Sequence, residues 1–405
     1  MNHNANEERI VITGYGLSCP LGEEPRAVVR AMKEGAHGLV QRRFDARLNF
    51  WVGATRVDDA CDEEGFPIER TILLARRAAD NALTMARIRN DACDPSRRAV
   101  VAGSSKGGLM SLLRAIEERD GHGDSGKNKF AKAFAQIPGS RMSLDLARRH
   151  TMRGPALDYP AACATGAHCL LRGAQLLREN EADLVLAGSS EACLHPLYLA
   201  SFANMGVLAR KKSRPFAADR DGFNAGEGAA FIVMERESDA KSRGAEIFGA
   251  LLGGAIPADA YHPTALDPSG DGIVRAIRGA LRDASLTADD LNAVKAHATG
   301  TAQNDVIESR ALHSALGKSA RRIPVFALKQ YVGHLLGASA SVEAILALLA
   351  ARDGFLPPLL DSANLDPDCD LRLVAGAPLP GAFENLLLLS YGFGGHLGAL
   401  VLQIL

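Results

Sequence analysis

The chain has 405 residues, with 46 Lys+Arg against 47 Asp+Glu for a formal charge of −1, and 47% of its residues are hydrophobic. That composition is globular and excludes disordered and collagen-like classes. Without a basic excess, nucleic acid is excluded as a first partner, so function must be sought in local sites.

Length suggests two or three domains of roughly 150 residues. The 40 glycines and the Ala-rich runs extend through the whole chain, however, and point to packed layers with no linker. The start, MNHNANEERIVITG, has acidic residues before a short apolar run and no basic n-region, so no export signal is expected. Residues 386–405 carry no charge, yet Ser390, His396 and several glycines interrupt them. We read two buried strands and a turn there, and expect no membrane span. The 7 cysteines are odd in number and scattered, with no Cys-x-x-Cys pair, which points to a reducing, cytoplasmic setting and to no metal site.

In chain order, β-rich runs alternate with helical ones. RIVITGYG (9–16) is followed by a helix over about 69–86, RRAVVAGSS (97–105), ALDY (156–159), a helix over about 164–179, DLVLAGSS (183–190) and FIVMER (231–236). The pattern then restarts with EIFGALLGGA (246–255), a helix over about 271–284, NAVKAHATG (292–300), VFALKQ (325–330), a helix to about 351 and the closing strands. This alternation predicts an α/β fold. Residues 156–177 and 325–348 each read as strand, small-residue turn and Ala-rich helix, so the chain is expected to be a distant duplication with halves 1–245 and 246–405. Two such halves packed face to face would bring Cys163 of one near His334 of the other.

Cys163, in PAACATGA, falls between a strand and a helix whose apolar positions Ala167, Leu170, Leu171, Ala174 and Leu177 follow helical spacing. A cysteine at a helix N-terminus is expected to be a low-pKa nucleophile with an oxyanion donor in its own backbone. His297 in KAHATGT and His334 in LKQYVGHLLGA, with Lys329 just before it, are the candidate partners. Such a set suits a reaction that acylates a thiol and then stabilises negative charge on a second thioester.

With these residues in place, the chain resembles the elongating, type II β-ketoacyl-acyl-carrier-protein synthases, of thiolase fold. The resemblance runs nearly end to end, through RIVITGYGLSCPLG, AACATG, RPFAADRDGFNAGEGAAFIVME, DAYHPT, HATGTAQNDVIE, GHLLGA and GFGG. It implies a thiolase-like fold of two duplicated βαβαβ halves in α/β/α/β/α layers. It also implies a decarboxylative condensation without metal or cofactor, in which Cys163 takes an acyl chain from acyl carrier protein. His297 and His334 would then assist decarboxylation of malonyl-carrier protein. Lys329 would support the histidines, the N–H groups of Cys163 and Phe393 would form the oxyanion hole, and Phe393 would act as a gate. Thr299 and Thr301 would bind the pantetheine arm, Asp305 and Glu308 would order the loop behind His297, and His262 would face the gate. Arg70, Lys211 and Lys212 would meet an acidic carrier protein. A dimer is expected, either homomeric or with a chain-length-factor-like subunit.

Several positions depart from the family's pattern. Ala298 replaces a glycine, Ser339 and Ser341 stand in an Ala/Gly-rich stretch, and His396–Leu397 replace Thr–Asn. Lys106, in GSSKGG, stands where the family has an apolar residue at the floor of the acyl pocket, while Tyr331 and Tyr391 add hydroxyls. A buried lysine is costly unless paired or neutral. These changes suggest a specialised synthase of the polyketide or aryl-polyene kind. The alternatives are a non-catalytic chain-length partner, which would typically lack the cysteine, and a CoA-dependent thiolase or initiating synthase, which would carry a Cys/His/Cys or Cys/His/Asn set.

Overall fold

Runs rich in Val, Ile, Leu and Ala, apolar on both faces, make strands that must be covered on both sides. The computed structural model describes residues 8–44, 48–88, 93–119, 124–137 and 141–405. Ten strands form its large sheet: β1 (Ile10–Ser18), β2 (Arg98–Ala102), β3 (Ala156–Asp158), β4 (Leu184–Glu191), β5 (Gly228–Arg236), β6 (Gly249–Ala255), β7 (Ala293–Lys295), β8 (Val325–Phe326), β9 (Asn385–Gly392) and β10 (His396–Ile404). Their spatial order is β8-β7-β9-β10-β6-β1-β5-β4-β2-β3. Outward from the centre, the first five run β1-β5-β4-β2-β3 and the second five run β6-β10-β9-β7-β8. Both are first, fifth, fourth, second, third.

Strand directions repeat as well, with two antiparallel and then two parallel pairings on each side. The sets join where β1 meets β6 antiparallel, Ile10 opposite Leu251 and Ile12 opposite Gly249. The expected two sheets are thus continuous in hydrogen bonding.

Helices Arg70–Met85 and Arg141–Arg149 cover the outer face of the first five strands, and Asp271–Asp283 covers that of the second, with Asn304–Leu316 packed on it. Between the strand sets lie Thr165–Arg178 and Ser339–Arg352, in contact with each other and with strands of both sets. The result is the expected α/β/α/β/α thiolase-like arrangement. Every residue of 339–351 is buried, and apart from Ser339, Ser341 and Glu343 all are apolar, so only an enclosed position suits the helix.

Two expected strands are shorter than their sequence patterns. Only Ala293–Lys295 and Val325–Phe326 pair; the chain then leaves the sheet as a loop bearing His297 and, after Val325–Phe326, as a short helix, Lys329–Val332, that opens on Lys329. The strand ends give way to backbone aimed at the site. Among the described residues, no helix is long and apolar enough to cross a membrane.

Candidate active site

Cys163 sits in a single 3₁₀ turn, Ala162–Ala164, that leads into helix Thr165–Arg178. The turn is closed by the Thr165 hydroxyl, which donates to Ala162 O at 2.7 Å and accepts from Ala161 N–H at 2.8 Å. From the second half, Ser390 Oγ donates to Cys163 O at 3.2 Å. A Cβ on Gly392 would lie 2.8 Å from Cys163 N, so only glycine lets the β9 end approach the Cys163 backbone. The Phe393 N–H lies close enough to favour the ionised form of the Cys163 thiol.

His334 is fixed through its backbone, its N–H donating to Asn224 O at 2.7 Å and its O accepting from Gly226 N–H at 2.9 Å. At the ring, Leu336 N–H and the Ser339 hydroxyl converge on Nδ1 at 3.3 and 2.9 Å. A backbone N–H can only donate, so Nδ1 accepts and the neutral ring carries its proton on Nε2. The Ser339 departure therefore bears directly on the histidine.

His297 is held from behind. Its N–H and that of Ala298 donate to Glu308 at 2.7 and 2.9 Å, while Asp305 accepts from Gly300 N–H at 3.1 Å and Phe216 N–H at 2.8 Å. Ala162, Ala298 and Leu336 have φ of +46°, +47° and +47°, a conformation that costs a side-chain-bearing residue about 1–2 kcal/mol. The three strained residues flank the cysteine and the two histidines, where the surrounding hydrogen bonds hold them.

The rings of His297 and His334 stand edge to face, 5.7 Å apart. Cys163, both histidines and Phe393 line one cavity of about 480 Å³, together with Lys106, Thr299, Thr301, His262 and Tyr391. Its apolar wall includes Phe202, Phe223 and Leu336. Lys329 lies behind this surface, fully buried, with Nζ 2.7 Å from Glu343 Oε1.

Burial pushes the Cys163 thiol up to about 12, although Lys329, Lys106 and the Phe393 N–H oppose it. Burial, followed by the Lys329 charge, drives both histidines well below the usual imidazole value. The resting site therefore holds a thiol and two neutral imidazoles. This runs against the expected low-pKa thiolate: at the half-buried Cys163, burial raises the thiol more than the nearby charges lower it.

The comparisons with known proteins agree with this geometry. Residues 7–240 match the family model "Beta-ketoacyl synthase, N-terminal domain", and 248–363 match "Beta-ketoacyl synthase, C-terminal domain". The chain belongs to the β-ketoacyl synthase family. A 3-oxoacyl-[acyl-carrier-protein] synthase 2 from Coxiella burnetii is 32% identical over 98% of this chain and 99% of its own. Among solved structures, a type II polyketide acyl-carrier protein in complex with its ketosynthase bound to the hexaketide matches with TM-score 0.89 and 28% identity, covering 99% of this chain and 100% of that one. The ishigamide ketosynthase/chain length factor matches with TM-score 0.88 and 28% identity, covering 98% and 100%.

Within this β-ketoacyl synthase fold, other expected residues fall in different places. Thr299 and Thr301 share a hydroxyl–hydroxyl bond of 2.9 Å in the cavity. His262 is exposed at the mouth, its Nδ1 accepting Thr264 and Ala265 N–H groups at 3.2 Å, and Gly394 N–H, next to Phe393, donates to Pro263 O at 2.7 Å. Lys106 is half-buried, its Nζ 5.5 Å from the Tyr198 ring centroid, so the lysine keeps partial access to water. Lys211 and Lys212 are exposed, on the segment that follows the cavity residue Val207, and Lys212 lies over the Trp51 ring.

Arg70 is corrected. All five of its N–H groups are engaged internally, with Glu227, Thr55, Val57 O and Asp59, so it is an ion-pair anchor and not a free surface cation. Tyr331 is also removed from the pocket, its hydroxyl donating to Pro358 O at 2.7 Å.

Sequence reasoning missed Glu191, Lys295 and Glu343. Glu191, at the end of β4, is fully buried and accepts from Ser104 Oγ at 2.9 Å, Ser105 N–H at 2.8 Å and Gly337 N–H at 3.2 Å, tying the Lys106 loop to the turn after His334. The legible signal for Glu343 was a single carboxylate inside an otherwise apolar helix, which requires a buried cation opposite it.

Proposed function

We propose that this β-ketoacyl synthase works as a 3-oxoacyl-[acyl-carrier-protein] synthase, with the nucleophile in residues 1–245 and the two histidines in 246–405. Cys163 Sγ attacks the thioester of an acyl-carrier protein, and its proton leaves with the carrier thiol. Malonyl-carrier protein then loses CO₂, and the electron pair of the broken C–C bond moves onto the thioester as an enolate. The Nε2–H of His334 donates to the enolate oxygen, and His297 assists from the facing ring. The enolate carbon attacks the acyl-Cys163 carbonyl, and the oxyanion is received by the N–H groups of Cys163 and Phe393. Collapse releases 3-oxoacyl-carrier protein, and the Cys163 thiolate regains a proton from solvent.

The observation that carries this reading is the convergence of Cys163, His297, His334 and Phe393 on one cavity from two repeated strand sets. The presence of Cys163 favours it over a chain-length partner. Neutral imidazoles suit donation to an enolate, and Phe393 lines the cavity beside Cys163.

Lys211 and Lys212, both exposed, are assigned to the carrier-protein surface, without Arg70, whose N–H groups are engaged within the chain. A dimer, homomeric or with a chain-length factor, is supported by the exposed Leu112, Ile116, Phe130 and Phe134 and by the open side of edge strand β3. The half-buried Lys106 favours a specialised chain over a saturated one, and the seven unpaired cysteines favour the cytoplasm.

The test is intact-mass analysis of the protein and of Cys163→Ala after incubation with short, long and polyene acyl-carrier proteins. The expected result is an acyl adduct on the protein and none on the variant. No adduct with any donor, with or without a chain-length factor, would overturn the catalytic reading.

A further inference from the structure

Glu343 is the only carboxylate in helix Ser339–Arg352, and it is 1% exposed. Two buried ammonium groups meet it. Lys329 Nζ donates to Oε1 at 2.7 Å, and Lys295 Nζ donates to Oε2 at 2.6 Å and to Leu389 O on β9 at 2.6 Å. One carboxylate is thus set against two lysines, each about 1% exposed. A single Lys–Glu pair would have balanced; the second lysine leaves a buried positive charge, and burying one is costly.

Lys295 precedes His297 by two residues on the strand that leads to it. We propose that Lys295 is a positioning residue of the condensation site: clamped with Lys329 on Glu343 and tied to Leu389 O, it fixes a second buried cation behind His297 and His334 and so keeps the two rings as hydrogen-bond donors. The proposal rests on the reading that these histidines stabilise the enolate.

The surroundings of the histidines support this assignment. His297 packs against the rings of His334 and Tyr391, has Glu308 bound to its backbone, and lies in the field of the Lys329 and Lys295 charges. His334 packs against the rings of His297 and Phe223, bonds Ser339, and lies in the field of the Lys329 and Lys295 charges. Glu308 also faces Lys295, but burial holds its carboxyl at about 7, so it offsets the charge only in part near neutrality. Among the groups acting on the rings, the cations prevail, and each lysine adds to the cost of a protonated imidazole. The same field favours the enolate and oxyanion that the reaction forms nearby.

Removing Lys295 should make the histidines easier to protonate, so activity should be lost at higher pH on the acid side. The experiment compares the full chain with Lys295→Met and Lys295→Arg. Two quantities are followed against pH: the rate of malonyl-carrier-protein decarboxylation, and the ¹⁵N-histidine NMR shifts of His297 and His334, assigned with His→Asn variants. In Lys295→Met the acid midpoint should rise by about one unit, with about a tenfold loss of kcat below it and little change in KM. Lys295→Arg should restore the wild-type profile. If Lys295→Met fails to fold, Lys295→Gln carries the same comparison.

A variant that loses thermal stability but keeps both the acid midpoint and the histidine titrations would make Lys295 a mere strand tie and overturn the proposal. A wild-type chain that never decarboxylates malonyl-carrier protein would sink the functional reading, and the NMR titration would still decide the role of Lys295.

Discussion

The two strand sets share one order and one pattern of directions, yet they supply the site with different things. The first brings Cys163, on a 3₁₀ turn closed by hydroxyl and backbone hydrogen bonds, in surroundings of alanine, phenylalanine and leucine. The second brings both histidines and places Lys295, Lys329, Glu343, Asp305 and Glu308 behind them, all buried. The paired central helices show the same contrast. Thr165–Arg178 keeps His168, Arg172 and Gln175, whereas 339–351 carries a single charge, Glu343, committed to two lysines. A duplicated scaffold has put the cysteine in one copy and both histidines, with most of the buried charges around the site, in the other.

If labour is divided in this way, the largest effects should separate cleanly. Cys163→Ala should abolish acylation, while His297→Asn and His334→Asn should still acylate but lose about 10²–10⁴ in decarboxylation, as followed by adduct mass and CO₂ release. Loss of acylation in the histidine variants would mean that the histidines also serve the nucleophile.

Glu343→Gln should cost about 3–5 kcal/mol in urea unfolding, because two ammonium groups lose their shared carboxylate. A near-neutral result would mean that one of the lysines is uncharged in the fold.

Next in size is an acid dependence of stability that belongs to the second half. Both histidines are held below their ordinary value, so the unfolded chain binds protons below about pH 6.5 that the native chain refuses. Stability should therefore fall as pH drops through that value, by up to about 1.4 kcal/mol per pH unit for each histidine. His334→Asn should remove one histidine's share of the slope; an unchanged slope would place the acid sensitivity elsewhere.

For the first half, the raised thiol makes a kinetic prediction. Iodoacetamide alkylation of Cys163 should climb with pH through 10 without levelling, since burial puts the thiol at about 12. A plateau near pH 8 would restore the helix-terminus thiolate. The smallest expected effect is Lys106→Ile, which should shift selectivity toward longer saturated chains by a few fold, read by product mass, with stability changed by less than about 1 kcal/mol.

Much of this was legible in the residues. The strand and helix alternation, the echo between 156–177 and 325–348, and the motifs around Cys163, His297 and His334 sufficed for the family and the thiolase-like layers. The Thr299–Thr301 pair and the carboxylates of Asp305 and Glu308 behind His297 were named from motif matches. What escaped were effects of distance in space. Arg70 read as a surface cation because Glu227 lies 157 positions away along the chain. Tyr331 read as a pocket hydroxyl because nothing in its neighbours points to Pro358. Lys295 read as an ordinary strand residue because its partners, Glu343 and Leu389 O, lie on other elements.

The sequence by itself determined which segments pair, which are helical and which side chains can do chemistry, because periodicity, small-residue turns and residue type act locally. Only the tertiary structure decided which charges face one another, which thiol loses its water and which lysine remains in contact with solvent. Those depend on burial and on separations of a few ångströms between residues far apart in the chain, and electrostatic energies change most steeply there.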